Sequence, residues 1–330
     1  MSNYLLCASP IQGHVAPIVA IANDLVARGH SVTVLTGSRF RDAVIAAGAD
    51  HRPLGGLADF DDRVIQDHLP ERDRHRGIRR LRYDIETIFV KTVPDQTRAV
   101  EAAIADLEPD AILVDAPFAG VVPLLLDGPS SRPPVLAAGV IPLSQVSADA
   151  APYGMGLAPR PGLLGRLRNR ALNVLVQQVV FRPTQKLANE AMHVLGRPSL
   201  DTFVLDSSRL FDRFLQLSPA EFEYPRSDLS GNLRFVGSVL PPAPVVSALP
   251  DWWPELDGDR PVVHVTQGTI DNKDLDRLIF PTLDALGEDA GPVAVAAVGE
   301  HLIDGTSDRI GIRRARAKVD TDPRPLGAHR

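Results

Sequence analysis

The stretch that decides the fold reads Tyr4-Leu5-Leu6-Cys7-Ala8-Ser9-Pro10-Ile11-Gln12-Gly13-His14-Val15-Ala16-Pro17. Its apolar start predicts a buried strand over residues 4–9, because a short apolar run bounded by turn residues is typical of a strand inside a parallel sheet. Apolar side chains at helical spacing begin at Pro17 and predict a helix over 17–28. We therefore expect His14 on the strand-to-helix loop, at the edge where open α/β sheets bind ligands.

The alternation of strand and helix continues along the chain. Residues 31–36 predict a second strand, and a helix over about 39–47 follows it. Such short βαβα connections are typical of a parallel, doubly wound α/β sheet. Residues 110–115 and 135–140 predict two further strands, and 233–237 predict a short final one.

Two long helices are predicted, and the second has more than one interpretation. Residues 82–107 predict a long helix that Pro94 kinks. Residues 166–194 predict a helix whose apolar face is flanked by basic side chains, and core packing, a binding-pocket wall and a membrane-surface helix are all open for it. The Pro- and Gly-rich segment 148–165 between them predicts a loop.

Composition excludes several classes of protein. The chain has 330 residues, enough for two domains, and a net charge of -6, which argues against a nucleic-acid partner. Its single cysteine, Cys7, excludes an internal disulfide and is expected in the core, so a reducing, cytoplasmic setting fits. The start has no basic segment, and no run reaches about 18 apolar residues, so we expect neither a signal peptide nor a transmembrane helix.

A proline-rich run from Leu240 to Pro250 predicts the boundary between two domains. We place an N-terminal Rossmann-like domain at 1–241, a linker at 242–258 and a second domain at 259–330. The second domain begins a new α/β unit, with a strand and the loop after it predicted at 261–269, a helix at 274–286 and a strand at 293–298.

Two strand-end residues carry the most chemistry. An aspartate such as Asp115 within reach of His14 would fix the imidazole tautomer and stabilise the imidazolium that forms when the histidine takes a proton. Each residue alone has a simpler interpretation, His14 as a structural loop residue and Asp115 as a helix cap. Gly268 and Thr269, at the start of a helix, offer backbone N–H groups and a hydroxyl for a diphosphate.

Several common motifs are absent from the sequence. No Gly-x-Gly-x-x-Gly follows the first strand, which argues against a nicotinamide-dependent dehydrogenase or epimerase. The chain also lacks a Gly-Lys-Ser/Thr phosphate loop, a His-Glu-x-x-His metal motif and a Gly-x-Ser-x-Gly nucleophile motif. We expect no metal site and no resident cofactor.

The order of several segments resembles that of one large enzyme family. Residues 10–17 and 25–33 look like the amino terminus of the nucleotide-sugar-dependent glycosyltransferases of family 1, particularly the bacterial antibiotic and glycolipid enzymes. The strand 110–115, the Phe235-Val236-Gly237 turn and the segment 263–269 follow in the order that family shows. The resemblance covers about residues 1–299.

This resemblance implies a GT-B fold, with two Rossmann-like domains built on parallel sheets. It implies inverting transfer of a sugar from a nucleoside diphosphate, UDP or dTDP, to a hydroxyl of a hydrophobic small-molecule or lipid acceptor. The catalytic base and its partner match His14 and Asp115, and Gly13, Gly268 and Thr269 are the expected donor contacts. The nucleotide sugar is a co-substrate, and residues 70–90 and 145–190 are candidates for the acceptor pocket.

The chain departs from the family near Gly299. The family's His/Asn-Gly-Gly segment and the sugar contacts after it have no match, and the Arg-rich tail to Arg330 shows no strand or helix period. We therefore expect a truncated chain, with an incomplete second domain that is poorly ordered from about residue 300. Whether such a chain transfers sugar is left open by the sequence. A non-catalytic acceptor-binding module is the alternative, and donor titration would separate it from a transferase.

Overall fold

The computed structural model describes residues 1–240, 253–259, 261–267, 274–286, 293–297 and 317–320. The chain divides into two compact units, Met1–Pro241 and Pro242–Arg330. The family resemblance implies that residues 1–241 bind the acceptor and residues 259–330 bind the donor; these roles, and the linker at 242–258, stay predictions.

The first unit is built on one parallel sheet of seven strands in the order β3-β2-β1-β4-β5-β6-β7. This confirms the parallel α/β class that the alternating pattern predicts. The strands are β1 (Asn3–Cys7), β2 (Ser31–Thr36), β3 (Asp50–Pro53), β4 (Ala111–Asp115), β5 (Val135–Gly139), β6 (Arg213–Gln216) and β7 (Leu233–Phe235).

Helices connect these strands. They are α1 (Gln12–Ala27), α2 (Arg41–Ala46), α3 (Ile65–His68), α4 (Ile78–Ile85), α5 (Val93–Leu107), α6 (Val122–Leu125), α7 (Gly162–Leu175) and α8 (Arg182–Val194). Two single π-helical turns, Glu86–Val90 and Val176–Val180, follow α4 and α7. Among the described residues, no helix is both long enough and apolar enough to cross a membrane.

The first strand shows why the sheet is buried on both faces. Leu5 and Cys7 point into one hydrophobic cluster, while Leu6 and Ala8 point into another on the opposite side. Successive side chains of a strand alternate between faces, so a continuous apolar run needs cover on both. Cys7 is fully buried, which confirms that this cysteine is a core residue, and burial raises the pKa of its thiol.

Helix α1 begins earlier than the sequence predicts. It starts at Gln12, so Gly13 and His14 lie in its first turn and not on a loop. Pro17 lies inside the helix, near its N-terminus. It removes a single backbone hydrogen bond there, next to the first turn, whose N–H groups have no helical partner. The expectation that the helix starts at Pro17 is therefore wrong by about one turn.

The long helix predicted over 82–107 is divided. Helix α4 passes into the π turn Glu86–Val90, and α5 starts afresh at Val93. Pro94 falls at the start of α5, where its missing N–H has no helical partner to lose. The proline marks a helix boundary and not a kink. The predicted helix 166–194 is divided in the same way, by Val176–Val180 between α7 and α8.

The second unit contains a parallel sheet in the order β10-β9-β8. Its elements are β8 (Val262–Thr266), the helix α9 (Ile279–Leu286), β9 (Val293–Ala297) and β10 (Ala317–Asp320). The expectation of a tail without strands is wrong at β10, which pairs along β9. Its sequence Ala-Lys-Val-Asp is too short and too polar to produce a recognisable strand signal.

Candidate active site

The site lies where the order of the sheet reverses. Strand β1 pairs with β2 on one side and β4 on the other, so Cys7 is level with both Leu35 and Val114. The chain moves outward from β1 to β2 and β3, then returns to the other side of β1 with β4. A crevice forms at the carboxyl ends of the strands at such a switch point, and ligands bind there.

The structure brings His14 and Asp115 together at this point. Asp115 is the last residue of β4, and His14 lies in the first turn of α1 directly after β1. His14 Nδ1 and Asp115 Oδ1 are 2.8 Å apart. The aspartate side chain is fully buried, whereas 14% of the histidine side chain is exposed. The pairing predicted from the strand ends is therefore present in the fold.

Two opposing effects act on the imidazole of His14. Burial lowers its pKa, because it disfavours the charged form, whereas the charge of Asp115 and the hydrogen bond from Nδ1 raise it. The net direction of the His14 pKa is upward. His14 is thus a stronger base than an ordinary histidine, although it lies in a buried position.

The hydrogen bond also decides which nitrogen is free to react. When Nδ1–H donates to Asp115, a neutral His14 has its lone pair on Nε2. No described residue bonds to Nε2 or to the second carboxylate oxygen of Asp115, Oδ2. The pair therefore leaves Nε2 as the one basic nitrogen of the ring.

A salt bridge supports the turn that carries His14. The backbone N–H of Gln12 donates to Asp62 Oδ2 at 2.7 Å, and Asp62 lies 2.9 Å from Arg39. A carboxylate at a helix N-terminus stabilises the helix through the free N–H groups and the helix dipole. Sequence reasoning missed Arg39 and Asp62, because a charged loop gives no signal of what it caps.

One aromatic side chain packs against the imidazole and belongs to an apolar wall. The ring of Phe89 meets His14 edge to face, with 5.9 Å between the ring centroids. Phe89 lies on the π turn Glu86–Val90, and such turns often occur at functional sites. It packs against a cluster formed by Ile11, Phe60, Ile65, Leu69, Ile88 and Tyr83. This wall overlaps the segment 70–90 that was predicted to line an acceptor pocket.

The other predicted site residues are less well defined. Gly13 is exposed in the first turn of α1, and a side chain added there would meet open space. Gly268 and Thr269 lie outside the described residues, so their predicted donor contacts stay predictions. Within the described residues, no group of three or more His, Cys, Asp or Glu side chains is arranged to hold a metal ion.

Known sequences similar to this chain are named as glycosyltransferases or as a synthase. It is 36% identical over 304 residues to the 4'-demethylrebeccamycin synthase of Lentzea aerocolonigenes, a match covering 90% of this chain and 70% of that protein. It is 36% identical over 311 residues to UDP-glycosyltransferase 2 of Phaeomoniella chlamydospora, covering 91% of this chain and 68% of that protein. No family model matches the chain.

Solved structures of glycosyltransferases share the fold of this chain. The glycosyltransferase of kitacinnamycin aligns with a TM-score of 0.66 at 17% identity, covering 97% of this chain and 70% of that one. The calicheamicin glycosyltransferase CalG4 aligns at 0.57 and 20% identity, covering 98% and 69%. VinC, solved in complex with dTDP, aligns at 0.56 and 15% identity, covering 98% and 72%. At these identities the likeness concerns the fold alone.

Proposed function

The chain belongs to the nucleotide-sugar-dependent glycosyltransferases of the GT-B fold, and within that family we propose that it uses His14 as the general base of an inverting transfer. The observation that carries this proposal is the pair of His14 Nδ1 and Asp115 Oδ1, 2.8 Å apart at the switch point of the sheet. A general base needs a fixed imidazole that substrate can reach, and here a buried carboxylate holds an imidazole that is partly exposed.

In the proposed reaction, an acceptor hydroxyl lies against Nε2 of His14. Its oxygen attacks the anomeric carbon of the sugar as the bond from that carbon to the diphosphate oxygen breaks. The hydroxyl proton passes to Nε2, and the nucleoside diphosphate leaves with the electron pair. Attack from the face opposite the leaving group inverts the anomeric carbon.

Asp115 acts on the charge that develops during this step. The imidazole becomes an imidazolium as it takes the proton, and the adjacent carboxylate stabilises that charge in a poorly hydrated site. The carboxylate also keeps Nδ1 protonated, so that Nε2 stays the accepting atom. Proton transfer to a positioned base of this kind is worth about 10²- to 10⁴-fold in rate.

We assign the donor as a UDP- or dTDP-sugar that acts as a co-substrate, with no metal or resident cofactor in the step. Curated relatives are named UDP-glycosyltransferases, and one structural neighbour holds dTDP. Gly13, Gly268 and Thr269 are the proposed donor contacts. The N–H of Gln12 already binds Asp62, so the first turn of α1 would meet the donor through Gly13.

We assign the acceptor as a hydrophobic small molecule or a lipid that carries a hydroxyl group. The wall beside His14 supports this class, because Phe89 and Tyr83 present rings next to aliphatic side chains. Flat or extended apolar ligands bind such walls through buried area and ring contacts. A polar sugar alone would gain little there.

A titration and a transfer assay together test this function. The purified chain is titrated calorimetrically with UDP-glucose and with a dTDP-sugar, then incubated with donor and a set of phenolic and lipid alcohols. We expect micromolar donor binding and a product with inverted anomeric configuration by NMR. Acceptor binding without donor binding or product would identify a non-catalytic acceptor-binding module and overturn the proposal.

A further inference from the structure

Helix α7 has its polar and apolar sides exchanged relative to an ordinary surface helix. Its buried positions are Gly165, Asn169 and Asn173, each one turn from the next. Its outer positions include Leu163, which is 85% exposed, and Leu167, which is 66% exposed. A helix of a globular protein normally turns its apolar stripe toward the core, so the core does not account for these leucines.

The inward side of α7 makes polar contacts and one close approach to the backbone. Asn169 Nδ2 donates to the carbonyl of Ala148 at 2.9 Å, and Asn173 Nδ2 donates to that of Ser147 at 3.2 Å. A side chain added at Gly165 would collide with the backbone carbonyl of Arg160. These contacts fix the rotation of the helix about its own axis, so the leucines cannot turn inward.

The exposed apolar residues form one continuous stripe. At about 100° per residue, Leu163, Leu167 and Val174 fall on one line of the helix, and Leu164 and Leu175 fall on the line beside it. All five are exposed. The loop before the helix adds Tyr153, Met155 and Leu157, which are exposed as well. Helix α7 and the loop before it thus both expose large apolar side chains.

Arginines border the stripe on both sides. By the same geometry Arg166 and Arg170 lie along one edge and Arg168 lies along the other. Arg166 pairs with Asp149 at 2.9 Å, whereas Arg170 is exposed and has no ion pair among the described residues. A cavity of about 700 Å³ beside the start of α7 is lined by Arg160 and Arg166 together with Leu163, so charged and apolar groups adjoin.

The charge of this region is opposite to that of the chain as a whole. Residues 150–189 contain no Asp or Glu, although the chain carries a net charge of -6. The basic side chains in this range are Arg160, Arg166, Arg168, Arg170, Arg182 and Lys186. An apolar stripe edged by arginines, of which Arg166 is paired with Asp149, is complementary to the surface of a bilayer that contains anionic lipids.

We propose that the outer face of α7, which we call the α7 face, docks on the surface of a membrane containing anionic phospholipids. The leucines and valine of the stripe would enter the boundary between headgroups and acyl chains. Arg170 would reach the lipid phosphates, since a long side chain can extend from a buried stem to a polar layer. Arg166 and Arg168 add positive charge at the edges while they hold their contacts with Asp149 and Asn169. The helix lies in the plane of the surface and does not cross the bilayer.

Vesicle flotation with the full chain tests this proposal. We expect binding to vesicles of phosphatidylglycerol and phosphatidylcholine in equal parts, weak binding to phosphatidylcholine alone, and a loss of binding as salt is raised. The double variant Leu163→Gln/Leu167→Gln should bind at least about tenfold more weakly, and Arg170→Gln about fivefold more weakly.

The control variant is Ile45→Gln, which replaces an exposed apolar residue of α2 and should bind as the wild type does. Circular dichroism of all variants confirms that they fold. Equal binding of the double variant and the wild type, or no binding to anionic vesicles, overturns the proposal. A dimer that the double variant dissociates, without vesicle binding, would assign the face to a second copy of the chain. Vesicle binding requires neither donor nor acceptor, so this result is separate from the transfer assay.

Discussion

At the scale of single residues, the base strength of His14 is a balance between burial and charge. Burial lowers its pKa, and Asp115 raises it by charge and by hydrogen bonding, with a net upward direction. The reactive form in the proposed step is the neutral imidazole. The rate of transfer should therefore fall as pH drops through the raised pKa, at a pH above the ordinary value of 6.5.

The Asp115→Asn variant tests this balance. It removes the charge that raises the His14 pKa and leaves the burial that lowers it, so the acidic limb of the pH–rate profile should move to lower pH. The rate on the plateau should fall by at least about 10²-fold, because the imidazolium loses its counter-charge.

The matched control is Asp110→Asn. Asp110 immediately precedes the first residue of β4, at the end of the strand away from Asp115. It accepts a hydrogen bond from the backbone N–H of Asn3 at 2.8 Å. This control should leave the acidic limb in place. An Asp115→Asn profile that has the same limb as the wild type would show that Asp115 does not set the pKa of the base.

At the scale of elements, the first turn of α1 determines where His14 points. Asp62 binds the N–H of Gln12, and Arg39 holds Asp62 in place. We expect Asp62→Ala to lower the free energy of unfolding of the chain by about 1 kcal/mol, the usual cost of losing a helix-capping group. Transfer activity should fall as well, because the same turn carries the base.

Urea denaturation followed by circular dichroism measures the loss, with Asp73→Ala as the control. Asp73 is an exposed aspartate in the short 3₁₀ turn Arg72–Arg74, and it has no ion pair among the described residues. If the two variants unfold at the same urea concentration, the cap at Asp62 contributes nothing to stability.

The π turn Glu86–Val90 places Phe89 against His14, and this contact predicts a role in acceptor binding. In Phe89→Leu the KM for a hydrophobic acceptor should rise about three- to tenfold, since aromatic contacts are worth about 0.5–1.5 kcal/mol. The KM for the donor should not change.

Phe222→Leu is the control, because Phe222 is exposed and lies on a separate short helix. Steady-state kinetics with each substrate varied in turn measures both constants. A rise in the donor KM with the acceptor KM unchanged would place Phe89 on the donor side and contradict the assignment.

Elements differ in how far the sequence predicts them. Strands β1, β2, β4 and β5 are apolar runs, so their composition alone predicts burial between two layers. Strand β3 reads Asp-His-Arg-Pro and lies at the edge of the sheet, where only its pairing with β2 makes it a strand. Strand β6 joins the sheet with the sequence Arg-Phe-Leu-Gln. Polar strands of four residues carry no period that a sequence reading can detect.

The residues of the candidate site also differ in how far the sequence predicts them. His14 and Asp115 were predictable, because both follow apolar strands and parallel strands end at one edge of the sheet. Phe89 and Asp62 were not, because tertiary packing brings them to His14 from segments without a distinctive pattern. A π turn depends on a local change of hydrogen bonding that composition does not encode.

At the scale of the whole molecule, the sheet supplies the rigidity that the site needs. Its first strand is packed on both faces, and the buried end of β4 holds Asp115 with no exposure of its side chain. Basic side chains are concentrated in residues 150–189, whereas the chain as a whole is acidic. The His14–Asp115 pair thus rests on the core of the first unit, and the proposed membrane contact lies on the surface of that unit.

The most direct test of the central claim compares sugar transfer by the wild-type chain and by His14→Asn. Asparagine can keep a hydrogen bond to Asp115 from the position of Nδ1, and it removes the basic Nε2 together with the ring contact to Phe89, so the variant should stay folded with a small drop in melting temperature. With a UDP-sugar and a hydrophobic acceptor at saturation, we predict that the variant transfers sugar at least about 10²-fold more slowly. Transfer by His14→Asn at the wild-type rate would contradict the account.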